Sequence, residues 1–228
     1  RLSIDTLVQG GCELPSRKTM IIAIAALVLA AALAAVRWLS DANKPEVISL
    51  TASAFHGATL DPVVKAPQVE LLDHRGRPFD LHEEVAGGNV VVLFFGYTSC
   101  PDVCPTTLAH HKQVKQLMGD LAGRVRFVMV SVDPERDSQQ RMAQYVEAFD
   151  PEFIGLTGTL EELKPIWDAY NVVPEKQEEA GSALGYAVSH PAFTYVIDKA
   201  GNVRLVHFLG MPADAVAEDL KTLLNERA

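Results

Sequence analysis

Two unbroken apolar runs dominate the pattern of hydrophobic and polar positions. Met20–Val36 holds 17 residues with no charge or strong polar group. That is the short end of what crosses a bilayer and long for a buried helix. Val90–Phe95 is shorter and follows the chain-breaking Gly87-Gly88-Asn89. It reads as a strand buried on both faces. Around it the pattern alternates. Gln68–Leu72 and Arg77–Leu81 flank the turn Asp73-His74-Arg75-Gly76 as a hairpin. A helix is expected from Pro105 to Met118, with Leu108, Val114, Leu117 and Met118 on one stripe. Arg126–Val132 is a second central strand, and Asp137 or Ser138 caps a helix ending near Phe149. Phe153–Leu156 reads as a short strand, and Thr159-Leu160-Glu161-Glu162 opens a helix ending near Tyr170. Phe193–Asp198 and Val203–Phe208 form a second hairpin, and Pro212 opens the last helix, to Asn225. Strands alternating with helices imply an α/β sheet with parallel members.

The charge pattern divides the chain. Residues 1–38 carry Arg1, Arg17, Lys18 and Arg37 against Asp5 and Glu13, within a chain whose net charge is −9. The rest is therefore strongly acidic, which argues against nucleic acid as a partner. Arg17 and Lys18 precede the apolar run, and Arg37-Trp38 follow it. The basic pair keeps the N-terminus cytoplasmic, and the chain beyond the run lies outside the cytoplasm. The expected organisation is a cytoplasmic segment or upstream extension over 1–19, a transmembrane anchor over 20–38, a linker with some local order over 39–60, and one globular domain over 61–228. A cleaved signal peptide is the alternative reading of the apolar run, given its alanine-rich stretch at Ala31–Ala35.

The chain has three cysteines. Cys12 lies before the apolar run. Cys100 and Cys104 lie in Gly96-Tyr97-Thr98-Ser99-Cys100-Pro101-Asp102-Val103-Cys104-Pro105, directly after the central strand. In open α/β sheets, ligands bind at the carboxyl ends of central strands. A bridge between these two cysteines closes almost no loop and constrains the unfolded chain little, so the pair is there for chemistry. Pro105 presets a helical φ and donates no N–H, which places Cys104 at the helix N-cap. A thiol there feels the positive end of the helix dipole and ionises more easily. Thiolate is the form that attacks disulfides and the form that binds metal, so reactivity alone does not choose between them. Zinc would need two further ligands, and no second cysteine pair exists. Two thiolates with one imidazole suit copper. Among seven histidines, His74 and His82 flank a hairpin and read as surface residues. His110 and His111 are adjacent on a helix and diverge by about 100°. His207 sits in a strand. His190 lies just before the Phe193–Asp198 strand, where the residues leave both a loop role and a ligand role open.

The segment from Gly96 to Pro105 resembles the signature of the Sco/SenC family of copper chaperones. Ser131-Val132-Asp133-Pro134-Glu135-Arg136-Asp137 looks like that family's second block, and Val188-Ser189-His190 before Thr194–Asp198 looks like its third. Ser189 and Pro191 depart from the commoner Asp and Ser of that block. The resemblance covers residues 61–228. It implies a thioredoxin-like fold, a central mixed sheet flanked by helices, preceded here by one N-terminal transmembrane helix. It also implies one copper ion, as Cu(I) or Cu(II), bound by Cys100, Cys104 and His190. Asp133, Asp102 and Tyr97 are candidates for supporting positions around that set. The implied role is assembly of the binuclear copper centre in cytochrome c oxidase subunit II, or delivery to another copper-receiving protein, with an upstream copper donor or thiol reductant as the other partner. The expected location is the cytoplasmic membrane, with the domain on the periplasmic side.

On this reading the chain is not an enzyme, but the same two thiols could act as a redox-active disulfide. The alternative function is therefore a thiol–disulfide reductase that keeps an acceptor's cysteines reduced, one thiol attacking and the other resolving. A peroxiredoxin-like peroxidase ranks below both, because Thr98 is near but the loop carries no arginine.

Overall fold

The computed structural model describes residues 27, 29, 31–34, 37, 49–52, 55–178 and 185–226. The chain divides into two compact units, Arg1–Val47 and Ile48–Ala228. In the first, the described residues are helical, and Leu27, Leu29 and Leu33 are exposed. Among the described residues no helix is long and apolar enough to cross a membrane. The expected span from Met20 lies largely outside them.

The second unit is built on a seven-stranded mixed sheet, ordered β1-β2-β11-β10-β5-β6-β7. Its strands are β1 (Ser49–Ala52), β2 (Ala58–Lys65), β5 (Val90–Gly96), β6 (Val125–Ser131), β7 (Ile154–Leu156), β10 (Thr194–Ile197) and β11 (Asn202–His207). β5, β6 and β7 are parallel, and the remaining pairs are antiparallel. Two small ribbons lie apart from it: β3 (Glu70–Leu72) with β4 (Pro78–Asp80), and β8 (Glu175–Glu178) with β9 (Tyr186–Ser189). The helices are α1 (Leu81–Ala86), α2 (Val103–Met118), α3 (Gln139–Phe149), α4 (Leu160–Ala169) and α5 (Ala213–Asn225).

The unbroken apolar run of β5 has the expected cause, since every residue from Val90 to Gly96 is buried. Successive side chains of a strand face opposite ways. Phe94 meets His111 of α2, and Phe95 meets Tyr170 beyond α4. Both faces of the sheet are therefore covered, and the carboxyl end of β5 is held in the middle of the unit.

The structure departs from the sequence reading in four places. Residues 49–52 and 58–60, read as linker, are sheet strands, because β2 pairs with β11 and carries β1 beside it. Leu81 opens a short helix rather than ending a hairpin, because Asp80 accepts a hydrogen bond from the Glu83 amide as N-cap. The stretch before His190 is strand β9, tied to β8. His74 is buried at 5% exposure instead of lying on the surface. Its Nδ1 accepts the Gly155 amide at 3.0 Å.

His111 has a stability consequence. Burial lowers its pKa to about 3, below the 6.5 of an exposed imidazole, and it packs between Phe94 and Phe127. Between those two pH values the unfolded chain binds a proton that the folded chain does not, so stability falls as pH drops from about 6.5 towards about 3. Denaturant melts across that range should show this decline, and His111→Phe should flatten it. An equal slope in the variant would assign the acid sensitivity to other groups.

Candidate metal centre

The loop from Tyr97 to Asp102 leaves the end of β5 and enters α2. Cys104 is not the helix cap. Asp102 is, although its side chain makes no capping hydrogen bond, and Cys104 lies inside the first turn. Pro105 then occupies a position where a missing N–H costs nothing, since the first turn has no intrahelical acceptors for its amides. Cys104 is 0% exposed, whereas Cys100 is partly exposed. Both are free thiols. The close packing of Cys104 depends on Gly96, where a Cβ would come within 2.7 Å of the Phe94 ring and 3.0 Å of the Cys104 sulfur.

Burial and hydrogen bonding split the two thiols in the opposite sense to a capping Cys104. The Cys104 thiol donates to the Cys100 sulfur, as do the Cys104 and Asp102 amides and the Tyr97 hydroxyl, and together they hold Cys100 at a pKa of about 5. The Cys104 amide lies 3.4 Å from that sulfur. Cys104 is driven upward, first by its hydrogen bond to the Cys100 sulfur and then by burial. At neutral pH the pair is one accessible thiolate resting on one sealed thiol.

His190 lies across the loop. Its ring meets the Tyr97 ring edge-on at a centroid distance of 6.0 Å. Its Nδ1 hydrogen-bonds the Pro191 carbonyl at 3.0 Å. Burial lowers its pKa, opposed by that carbonyl and by the Cys100 charge. The imidazole is thus neutral at pH 7, the form that ligates metal. Among the described residues, no three His, Cys, Asp or Glu side chains are already gathered at metal-ligating spacing. The thiols are together; His190 is their neighbour.

Tyr97 and Asp133 position the His190 strand. Tyr97 is buried, and its hydroxyl accepts the Val188 amide of β9 at 3.3 Å. Asp133 is 1% exposed and accepts from the Tyr186 hydroxyl at 2.7 Å and from the Arg136 guanidinium. Arg136 also donates to the Tyr186 carbonyl at 2.9 Å and lies 3.6 Å over the Tyr186 ring. The Asp102 side chain is exposed, and its contribution to the loop is its amide.

Arg136, Tyr186, Asp137 and Arg141 are the residues that sequence reasoning missed. Asp137, expected as a possible cap, is buried instead and accepts from the Thr98 and Ser131 hydroxyls, both at 2.6 Å. Ser138 caps α3. Arg141 of α3 donates to Thr98 Oγ1 at 2.7 Å and Ser99 Oγ at 3.1 Å. An arginine does reach the loop, from a helix some 40 positions on, but it braces two hydroxyls. The signal available in sequence was the clustering of Asp133, Arg136 and Asp137 in one short block.

A mixed sheet covered on both faces, with a dithiol where its central strand enters a helix, defines a thioredoxin-like dithiol domain. The SCO1/SenC family profile matches residues 58–225. The chain belongs to that family. It is 31% identical over 152 residues to the SCO2-like protein RP587 of Rickettsia prowazekii, covering 67% of this chain and 73% of that one. Among solved structures, Bradyrhizobium japonicum ScoI with copper bound is similar at a TM-score of 0.63 and 32% identity, over 70% of this chain and 99% of that one. Apo Sco1 from Thermus thermophilus is similar at 0.64 and 33%, over 78% and 99%.

Two outcomes are expected. In a Cys12→Ser background, alkylation of Cys100 should follow a titration with a midpoint near pH 5, and Tyr97→Phe should raise that midpoint by up to about 1 unit. Iodoacetamide labelling read by mass spectrometry gives both values; a midpoint near 8.5 in the parent would contradict the hydrogen-bond account. Asp133→Ala should destabilise the fold by about 1–3 kcal/mol, because it strips a buried acceptor from Tyr186 and Arg136. Equilibrium unfolding in urea measures it.

Proposed function

We propose that this chain is a membrane-tethered copper chaperone, with Cys100, Cys104 and His190 as the ligand set. One observation carries the reading: an accessible thiolate, a second thiol in contact with it and a neutral imidazole meet at one loop. Two soft sulfurs and an imidazole suit copper better than harder cations. His190 Nδ1 is engaged by the Pro191 carbonyl, so Nε2 is the nitrogen offered to a metal. Copper is cargo here. Cys100 offers the entry point, Cys104 loses its proton to become the second sulfur donor, and Tyr97 and Asp133 keep the His190 strand in place. A partly exposed first ligand suits hand-over by ligand exchange. The family resemblance and the copper-bound Bradyrhizobium relative support the same reading.

The acceptor we infer is the binuclear copper site of cytochrome c oxidase subunit II, as the family resemblance implies. The apolar run from Met20 supports tethering at the cytoplasmic membrane, with the domain on the outer side. A tether would raise the effective concentration at a membrane-bound acceptor.

The thiol asymmetry also favours a second reading, reduction of an acceptor's disulfide. Cys100 thiolate would attack one sulfur of that disulfide, forming a mixed disulfide and releasing the other sulfur as thiolate. Cys104 would then lose its proton and attack Cys100, expelling the second acceptor thiolate. The acceptor gains two electrons, and the pair ends as a disulfide.

Titration of the reduced full chain with Cu(I) tests both readings. The expected result is one equivalent of thiol-bound copper, lost in Cys100→Ser/Cys104→Ser and weakened at least about tenfold, ~1.4 kcal/mol or more, in His190→Ala. Weak copper binding together with brisk disulfide exchange that is indifferent to His190→Ala would replace the chaperone with the reductase.

A further inference from the structure

A second group of imidazoles lies away from the thiols. His110 and His111 of α2 and His207 at the end of β11 line a cavity of about 20 Å³, together with Thr107, Thr194 and Val216. That is room for one water-sized occupant. Each ring is fixed from behind. His207 Nε2 lies 3.0 Å from Asp219 Oδ2, and both residues are buried. Asp219 also accepts the backbone amides of His56 at 2.9 Å and Gly57 at 2.8 Å. Gly57 must be glycine for this, since a Cβ would sit 2.5 Å from the His207 ring. Asp219 engages Nε2 of His207, so Nδ1 is the ring nitrogen left over. His110 hydrogen-bonds the Met211 backbone carbonyl, which likewise leaves Nε2 over. His207 Nδ1 and His110 Nε2 are both buried, and neither has a hydrogen-bond partner. His111 Nε2 is 3.5 Å from the Thr194 hydroxyl.

Each buried acceptor without a donor costs about 1–3 kcal/mol, and native folds leave few of them. The two nitrogens line one cavity and bond neither each other nor any other group. They call for an occupant that brings positive charge or hydrogens. We propose that this cavity is a second cation site, selective for a soft monovalent ion such as Cu(I), with His110 Nε2 and His207 Nδ1 as ligands. Asp219 behind His207 is the carboxylate–imidazole arrangement that orients metal-binding histidines. Zinc would want four ligands, whereas no three ligating side chains are gathered among the described residues. A d¹⁰ monovalent ion is content with two nitrogens. The surroundings, Val216 and the Phe94 ring behind His111, also penalise a doubly charged ion more than a singly charged one. His110 lies on the same helix as Cys104, so one element serves both sites.

The test uses the full chain with all three cysteines changed to serine and with His190→Ala, so that the thiol site is gone and its fate does not enter. Ag(I), a redox-stable probe of monovalent soft sites, and Cu(I) are titrated against ¹⁵N-labelled histidine. The expected result is one equivalent bound, with the largest ¹⁵N shifts at His207 Nδ1 and His110 Nε2. His110→Gln, at a partly buried helix position, should weaken binding at least tenfold while the melting temperature holds. His207→Gln should do the same if it folds. The proposal is overturned if neither nitrogen shifts at one equivalent, if His110→Gln binds as well as its parent, or if crystals grown with Cu(I) hold only a water in the cavity.

Discussion

The burial of Cys104 against the end of β5 is the constraint on which the chemistry of this domain depends. Gly96 leaves room for that sulfur, and the first turn of α2 closes over it. A sealed thiol cannot ionise easily, so it serves as a donor to its neighbour. Its neighbour, partly exposed and met by two backbone amides and a tyrosine hydroxyl as well, becomes the thiolate. The asymmetry follows first from which sulfur donates and which accepts, and then from the burial of the donor. Helix position alone would have assigned it the other way.

A second layer of interactions holds the histidine strand near that pair. The sheet does not do this directly, because among the described residues β9 pairs only with β8. The connection runs through Tyr97, which accepts the Val188 amide, and through the Asp133–Arg136–Tyr186 group. Asp137 and Arg141 brace Thr98 and Ser99 on the opposite side of the loop. The dithiol loop is thus clamped from α3 and from β9, while Cys100 stays accessible. Such clamping favours a loop that keeps its two thiols in place and still leaves Cys100 open to a partner.

The same helix presents histidines from the middle of its length to a separate cavity. There the ordering device is Asp219, which gathers an imidazole and two amides around one carboxylate. Polar groups this deep are tolerated only when satisfied, so the two unpartnered nitrogens mark the cavity as a place where the fold expects an occupant.

Local patterns determined much of this protein in advance. The doubly buried run at Val90–Phe95, the Cys-x₃-Cys spacing after it, the helix signals at Ser138 and Thr159 and the final hairpin are short-range features, and each was legible from neighbouring residues. The pairing of 58–60 into the sheet was not, because β2 gains its partner from β11, some 140 positions on, and 49–52 enters the sheet only by pairing with β2. Nor was the direction in which the two thiols split, since burial is a property of the packed fold. Tertiary structure alone brought Arg141 to Thr98, tied Asp133 to Tyr186 and set His207 against Asp219. Hydrogen bonds between residues far apart in sequence leave no periodicity to read, and only the folded chain decides which of many polar side chains will meet.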